Sequence, residues 1–141
     1  MDFSYSEEQE AIRELAGQIF RDLTTLDGMR ELEKSGGPRF DPELWKSLGE
    51  AGLVGIAIPE AFGGGGLGFM EVAVGLEQLA RAVAPAPLYE ASVLGALPLV
   101  EFGSDAQRER WLPDMASGQA IWTSATLGQY VRSRWNSVSR A

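Results

Sequence analysis

The chain of 141 residues contains no cysteine and no histidine, and its only lysines are Lys34 and Lys46. These absences exclude a disulfide framework, a thiolate nucleophile, an imidazole base and a zinc site built from Cys and His. A general base would have to be a carboxylate, a tyrosinate or a lysine, and the acids show no calcium-loop spacing. The sequence therefore predicts no metal site and no self-contained catalytic centre.

Long apolar runs are also missing. No stretch approaches the roughly 20 apolar residues of a membrane span, and the first four residues lack the basic and apolar regions of a secretory signal. The hydrophobic content of 45% and mean hydropathy of -0.09 are typical of a globular protein, and the length fits one domain. We expect a cytoplasmic protein with no membrane partner.

Positive charge is scarce in most of the chain. Residues 1–125 carry nine basic and twenty acidic side chains, a net charge of −11, whereas residues 126–141 carry three arginines and no acid. An acidic body repels nucleic acid, and three arginines interleaved with Tyr130 and Trp135 are too few for an RNA-binding tail. We expect no nucleic-acid partner and a poorly ordered, divergent basic tail over residues 123–141.

What the chain does contain is mostly helix signals. Ser6 and Gln9 have capping-box spacing, and apolar residues then recur at steps of three and four, which predicts a first helix continuing through Leu26 and ending at Gly28. Asp41 and Pro42 predict the start of a second helix. Its apolar residues include Trp45, which we expect in the core, and Gly52 suits its C-terminus.

Three more helices are predicted downstream. The third runs from about Phe69 to Val83, and the fourth covers residues 91–102 with a kink at Pro98 and an end at Gly103. The fifth starts after the Ser104 capping box and reaches residues 112–113. No segment alternates convincingly between apolar and polar residues, so the sequence predicts an all-α domain.

The run Phe62–Phe69 permits a competing interpretation. Gly63, Gly65 and Gly68 satisfy G-x-G-x-x-G, the dinucleotide-binding pattern, and Glu90 lies where a ribose-binding acid would stand. However, Pro59 interrupts the required strand, two prolines exclude a second buried strand before Glu90, and no further βα units follow. We therefore favour a tight connection between helices over a nucleotide-binding module.

Four segments, taken in order, resemble one family. They are Phe3–Gln9, Leu44–Ile56, Ile58–Leu67 with its Pro-Glu-x-(Tyr/Phe)-Gly-Gly pattern, and Gly103–Gly118. Together they are similar to the start, the second helix, the following loop and the end of the N-terminal helical domain of acyl-CoA dehydrogenases, over residues 3 to about 122. The resemblance implies an orthogonal bundle of about five to six helices over residues 1–122.

The resemblance also implies a function in FAD-dependent α,β-dehydrogenation of acyl-CoA thioesters. In that family, the flavin contacts and the catalytic glutamate lie mainly in a β-barrel and a second helical domain. The family's Thr-Glu-Pro motif is missing at Thr123–Tyr130. We therefore transfer no catalytic or cofactor-binding residue, and we expect this chain to lack those two domains, to be inactive alone and to bind no FAD by itself.

In the family, the helix matching residues 91–102 and the loop before it help to form the acyl-chain cavity. The resemblance thus implies an acyl-chain pocket formed by Tyr89, Val93, Leu94, Leu97 and Phe102. The same residues also suit core packing or an interface, and the sequence does not separate these alternatives. A second hypothesis is a small helical partner that docks on a homologous dehydrogenase subunit or binds acyl chains. If a barrel normally covers part of this domain, we also expect the isolated chain to expose an apolar patch and to self-associate.

Overall fold

The computed structural model describes residues 4–37 and 39–124, and within them the chain forms helices and no strand. The prediction of an all-α fold is confirmed. Residues 125–141, which hold most of the predicted basic tail, lie outside the described residues. The elements in order are α1 (Glu7–Leu23), α2 (Leu26–Ser35), α3 (Pro42–Glu50), a 3₁₀ turn (Glu60–Phe62), α4 (Phe69–Ala82), a π-helical segment (Glu90–Ala96), α5 (Leu97–Phe102) and α6 (Asp105–Ala116).

The helix starts follow the capping signals in the sequence. The Ser6 hydroxyl accepts a hydrogen bond from the Gln9 amide at 3.2 Å, and the Gln9 side chain accepts one from the Ser6 amide at 3.1 Å. Asp41 accepts from the amides of Glu43 and Leu44 at the start of α3. Ser104 opens α6 with a second reciprocal box. These side chains satisfy amide groups that a helix start leaves without partners.

The predicted course of the first helix is wrong beyond Leu23. Thr24 is extended, and the Thr25 hydroxyl caps a separate helix, α2, by accepting from the Gly28 amide at 3.1 Å. Gly28 therefore lies inside a helix and does not end one. Two consecutive threonines disfavour helix because their χ1 angles are restricted and their hydroxyls compete for backbone groups. The apolar pattern continues across the break because Leu26 opens α2, although its side chain is 69% exposed.

The core divides into two clusters. The larger one lies where α1 packs on α4 and α3 and includes the loop after α3. The smaller one lies beneath α6, where it contacts the π-helical segment and the 3₁₀ turn. The buried members of the larger cluster are Ala16, Phe20, Leu44, Trp45, Leu48, Leu53, Val54, Ile56, Val72, Ala84, Leu88 and Ala91. Those of the smaller cluster are Ile58, Ala96, Leu112, Met115 and Ala116.

Trp45 joins α3 to the exit of α6. Its side chain is 5% exposed, and its indole N–H donates to the Gly118 carbonyl at 2.8 Å. The prediction that Trp45 belongs to the core is confirmed. α6 itself extends to Ala116, three residues beyond the predicted end, with Pro113 inside its last turns. None of the described helices combines the length and hydrophobicity needed to cross a bilayer.

Polar contacts also tie the N-terminus to α4. The side-chain Nε2 of Gln9 donates to Glu71 at 2.8 Å, and Glu71 accepts from the backbone amide of Gly68 at 2.9 Å at the start of α4. The hydrogen bond from Gln9 lowers the pKa of Glu71, and hydrogen bonds from backbone donors add a smaller effect in the same direction. The Tyr5 hydroxyl donates to Glu77 at 2.9 Å. That bond, together with the Arg81 guanidinium, lowers the pKa of Glu77.

Candidate functional site

The glycine-rich loop does not present a phosphate cradle. Residues 51–59, which precede it, form turns and not a strand. Its amides donate to carbonyls of the chain itself, and the Gly68 amide donates to the Glu71 carboxylate. These bonds run from Gly63 to Glu60 (2.9 Å), Gly64 to Pro59 (3.3 Å), Gly65 to Gly55 (3.0 Å), Gly66 to Ile58 (2.9 Å) and Leu67 to Ile56 (3.0 Å). The preference for a tight connection between helices is confirmed.

Close packing explains why glycine occurs in this loop. A Cβ at Gly64 would overlap the carbonyl of Ile58. The glycines therefore allow the chain to fold back on the apolar turn that precedes it. The glycine amides, through which the dinucleotide pattern would hold a pyrophosphate, are therefore already bonded within the chain.

The candidate site lies instead around the helical stretch from Leu88 to Phe102, whose middle is π-helical. The Leu97 amide donates to the Ser92 carbonyl, five residues back. Pro98 explains the widening, since its ring has no N–H and would crowd the carbonyl of Leu94 in a regular α-helix. The π-helical segment continues directly into α5, which contains Pro98. A kink at Pro98 stays a prediction.

Ser92 anchors this segment to the core. It is 4% exposed, and its hydroxyl donates to the carbonyl of Val54 at 3.0 Å. Val54 belongs to the turn region that follows α3, so the bond fixes the π-helical segment against the larger core cluster. The outer residues of the segment are thereby held in a defined orientation.

An apolar groove of about 400 Å³ runs between this helical stretch and α6. Its third side is formed by Trp122, Thr123 and Ser124 in the segment that follows α6. The volume lies within the range of small-molecule sites. The lining residues are Leu94, Gly95, Pro98, Leu99, Phe102, Gly103, Gln107, Trp111, Met115, Trp122, Thr123 and Ser124. None of them carries a carboxylate or a cation, so the groove offers apolar contact and no acid–base group.

Two tryptophans form the aromatic wall of the groove. The ring centroids of Trp111 and Trp122 are 4.5 Å apart with an interplanar angle of 60°, a tilted arrangement that aromatic pairs favour. The Arg110 guanidinium lies 4.4 Å from the centroid of Trp111 and adds a cation–π contact. Opposite them, a Cβ at Gly95 would overlap the carbonyl oxygen of Trp122. The helix and the segment after α6 therefore meet at Gly95.

The structure places the five predicted pocket residues in different surroundings. Leu94 and Phe102 line the groove together. Val93 is half-buried and packs against the larger core cluster, while Leu97 is half-buried and Tyr89 is 48% exposed, both away from the groove lining. Contact of any of the five with an acyl chain stays a prediction.

Sequence reasoning missed the aromatic side of the groove. Trp111 and Trp122 are eleven residues apart in the sequence, and neither periodicity nor a motif joins them to Leu94. The sequence could have predicted only the side of the groove that the helix forms. There, Leu94, Pro98 and Phe102 are spaced four residues apart and so share one helix face. The contact at Gly95 depends on tertiary packing, which the sequence pattern does not encode.

A second cavity, of about 600 Å³, lies between the end of α2 and the segment after α4. Its lining combines apolar side chains with the charged residues Glu33 and Arg39. Among the described residues no group of three or more acidic, His or Cys side chains gathers there or elsewhere to hold a metal ion. This cavity therefore presents no recognisable chemistry.

The comparisons with known proteins agree on one family. Residues 6–119 match the family described as acyl-CoA dehydrogenase, N-terminal domain. Acyl-CoA dehydrogenase FadE27 of Mycobacterium tuberculosis is 36% identical over 129 residues, which cover 92% of this chain and 34% of that protein. Mitochondrial isovaleryl-CoA dehydrogenase of Pongo abelii is 35% identical over 118 residues, which cover 82% of this chain and 28% of that protein.

Solved structures give the same result. The ChsE4–ChsE5 complex of M. tuberculosis matches with a TM-score of 0.81 and 36% identity, over 87% of this chain and 34% of the matched chain. A variant of the Tcur3481–Tcur3483 steroid ACAD matches with a TM-score of 0.78 and 43% identity, over 83% of this chain and 32% of the matched chain. The chain thus spans about a third of the length of these relatives, and it belongs to the acyl-CoA dehydrogenase family, as an N-terminal domain of that family.

Proposed function

We propose that this domain supplies an apolar wall of the acyl-binding site in FAD-dependent α,β-dehydrogenation of an acyl-CoA thioester. The observation that carries the proposal is the groove between the helical stretch Leu88–Phe102 and α6, which brings Leu94 and Phe102 together in a domain of this family. An acyl tail is held by burial of its methylene groups, each worth about 0.8 kcal/mol. A groove without charged lining residues suits that task.

The redox chemistry belongs, in this proposal, to the parts of the family's length that this chain does not match. Removal of the α proton needs a base, and the polar residues of the groove are Gln107, Thr123 and Ser124, none of which is basic near neutral pH. The amides of the glycine-rich loop are committed to internal bonds. FAD, when bound by the assembled enzyme, supplies the hydride acceptor.

We further propose that the domain works in association with a homologous subunit or with a second copy of itself. Several large apolar side chains are exposed, among them Phe102 at 83%, Val83 at 72% and Leu26 at 69%. Light scattering during size exclusion should show self-association of the chain as its concentration rises. A monomer at every concentration contradicts self-association by this chain alone.

The acyl-binding proposal is tested by calorimetric titration of the chain with octanoyl-CoA and with free coenzyme A. We expect octanoyl-CoA to bind more tightly, because the acyl tail alone reaches the groove. Phe102→Ala should weaken octanoyl-CoA binding about fivefold, which corresponds to roughly 1 kcal/mol of lost apolar contact. Phe102 is highly exposed, so its removal leaves folding nearly unchanged.

Phe69→Ala is the matched control for this experiment. Phe69 is 55% exposed and opens α4, and it does not line the groove. Its substitution should leave octanoyl-CoA binding unchanged. Equal affinities for octanoyl-CoA and coenzyme A, or equal effects of the two Phe→Ala substitutions, contradict the proposal.

A further inference from the structure

We infer that the surface around the cavity of about 600 Å³, between α2 and the segment after α4, is where a second copy of this chain binds. The inference rests on the proposed self-association and adds to it the location and the two-fold geometry of the contact. We call this surface the α2 face. Its residues that matter here are Met29, Leu32, Glu33, Arg39, Val83 and Pro85.

The helix that forms one side of this surface covers little of the core. Among the described α-helices of eight or more residues, α2 is the one without a buried residue. Met29 and Leu32 are three residues apart on one side of the helix, are only half-buried and line the cavity. An amphipathic helix is stabilised in a protein mainly by burial of its apolar side. This side of α2 therefore has apolar surface left for a further contact.

Val83 adds exposed apolar surface to the α2 face. It follows α4 with a φ of 51° and is, among the described residues, the only one other than glycine with a positive φ. A β-branched side chain is disfavoured in this left-handed conformation, where glycine or asparagine is usual. Because the side chain is 72% exposed, contacts within the fold do little to offset that strain. Strained residues of this kind occur at functional surfaces, and contact with a partner would bury the Val83 side chain.

The charges of the α2 face favour a second copy as the partner. Glu33 and Arg39 line the cavity, and neither forms an ion pair within the described parts of the chain. A surface with one charge of each sign gives no preference for a uniformly acidic or a uniformly basic partner. A two-fold interface, however, joins the same surface of both subunits, so Glu33 of each copy can face Arg39 of the other. The α2 face is self-complementary in this arrangement.

Charge reversal tests the two-fold geometry, with association constants measured by sedimentation equilibrium. Glu33→Arg and Arg39→Glu each place like charges opposite one another at both ends of the contact, so either variant alone should self-associate roughly tenfold more weakly or worse. In an equimolar mixture of the two variants every facing pair is again of opposite sign. The two variants should therefore bind each other within about threefold of the wild-type constant. Recovery in the mixture also shows that both variants fold.

Val83→Gly tests the apolar part of the α2 face. It should weaken self-association about fivefold through lost apolar contact. Glycine tolerates the left-handed conformation, so the thermal midpoint of the dilute, monomeric chain should stay the same or rise. A purely structural role for Val83 changes the midpoint and leaves the association constant unchanged, and that result overturns the role of Val83 in the contact.

Glu31→Arg is the matched control, because it makes the same charge change at an exposed position of α2 that does not line the cavity. It should not weaken self-association. If Glu31→Arg and Glu33→Arg weaken it equally, or if the mixture of charge variants does not recover, the inference is overturned while self-association stands. A wild-type chain that is monomeric at every concentration overturns both. Octanoyl-CoA binding depends on the other groove and is tested separately.

Discussion

The Ser92→Ala substitution measures how firmly one buried hydroxyl holds the π-helical segment. Ser92 is 4% exposed and donates to the buried Val54 carbonyl at 3.0 Å. Alanine leaves that carbonyl without this donor, which costs about 1–3 kcal/mol. The higher helix propensity of alanine offsets roughly 0.5 kcal/mol. The free energy of unfolding should therefore fall by about 0.5–2.5 kcal/mol.

Urea denaturation followed by circular dichroism gives this quantity directly, and a thermal scan should show Tm lower by roughly 4 °C per kcal/mol for a chain of this size. Ser117→Ala is the matched control. The Ser117 hydroxyl also donates to a backbone carbonyl, that of Asp114 at 3.2 Å, but the bond is exposed and water replaces it. If both alanine variants have the same stability within experimental error, the π-helical segment does not depend on the buried bond.

Three further substitutions address the core, a helix cap and the glycine loop. Trp45→Phe removes the indole donor to Gly118 and leaves a small cavity, so the free energy of unfolding in urea should fall by about 1–3 kcal/mol. An unchanged urea midpoint contradicts a stabilising role for the Trp45 indole. The pKa of Glu71 is lowered in the folded chain, so its charge stabilises the fold above the unfolded pKa of about 4.3, and this contribution is lost as pH falls through the folded value. Glu71→Gln should lower the free energy of unfolding by about 0.3–1 kcal/mol at pH 7 and by less at about pH 3. If urea titrations give the same loss at both pH values, the stabilisation does not come from the Glu71 carboxylate. Gly64→Ala should destabilise by about 1–3 kcal/mol or more, because its Cβ overlaps Ile58, whereas Gly37→Ala meets ordinary contacts and should change the midpoint little; equal thermal midpoints for the two variants refute the close packing of the loop.

Local signals determined most of the fold correctly. Capping residues such as Ser6, Asp41 and Ser104 marked helix starts because they satisfy backbone amides within three residues of themselves. The separate helix α2 escaped prediction because the apolar period continues across Thr24 and Thr25. Periodicity reports which face is apolar, and two consecutive helices that share a period look like one helix.

The candidate site was harder to predict from the sequence than the helices were, because it depends on contacts between segments that are distant along the chain. Leu94 and Phe102 were predicted from the family resemblance and line the groove. The wall that faces them comes from Trp111 and Trp122, whose pairing requires the return of the chain after α6. Gly95 lies within the π-helical segment, and a Cβ there would overlap the Trp122 carbonyl of a segment far along the chain. Periodicity identifies the apolar face of one helix. It therefore predicts only the side of the groove that this helix forms.

The glycine-rich loop and the groove both bear on the proposed role of this domain in acyl binding. The loop uses its amides to hold the chain against Ile56 and Ile58, so the amides of these glycines are not available to a phosphate. The groove, in turn, has no carboxylate on its walls, so a charged base near the acyl tail would have to come from another part of the protein. Apolar walls bind a tail by its length and shape. In the proposed function, this domain contributes to selectivity for the acyl tail and not to proton abstraction, and substitutions in the groove are expected to change tail binding.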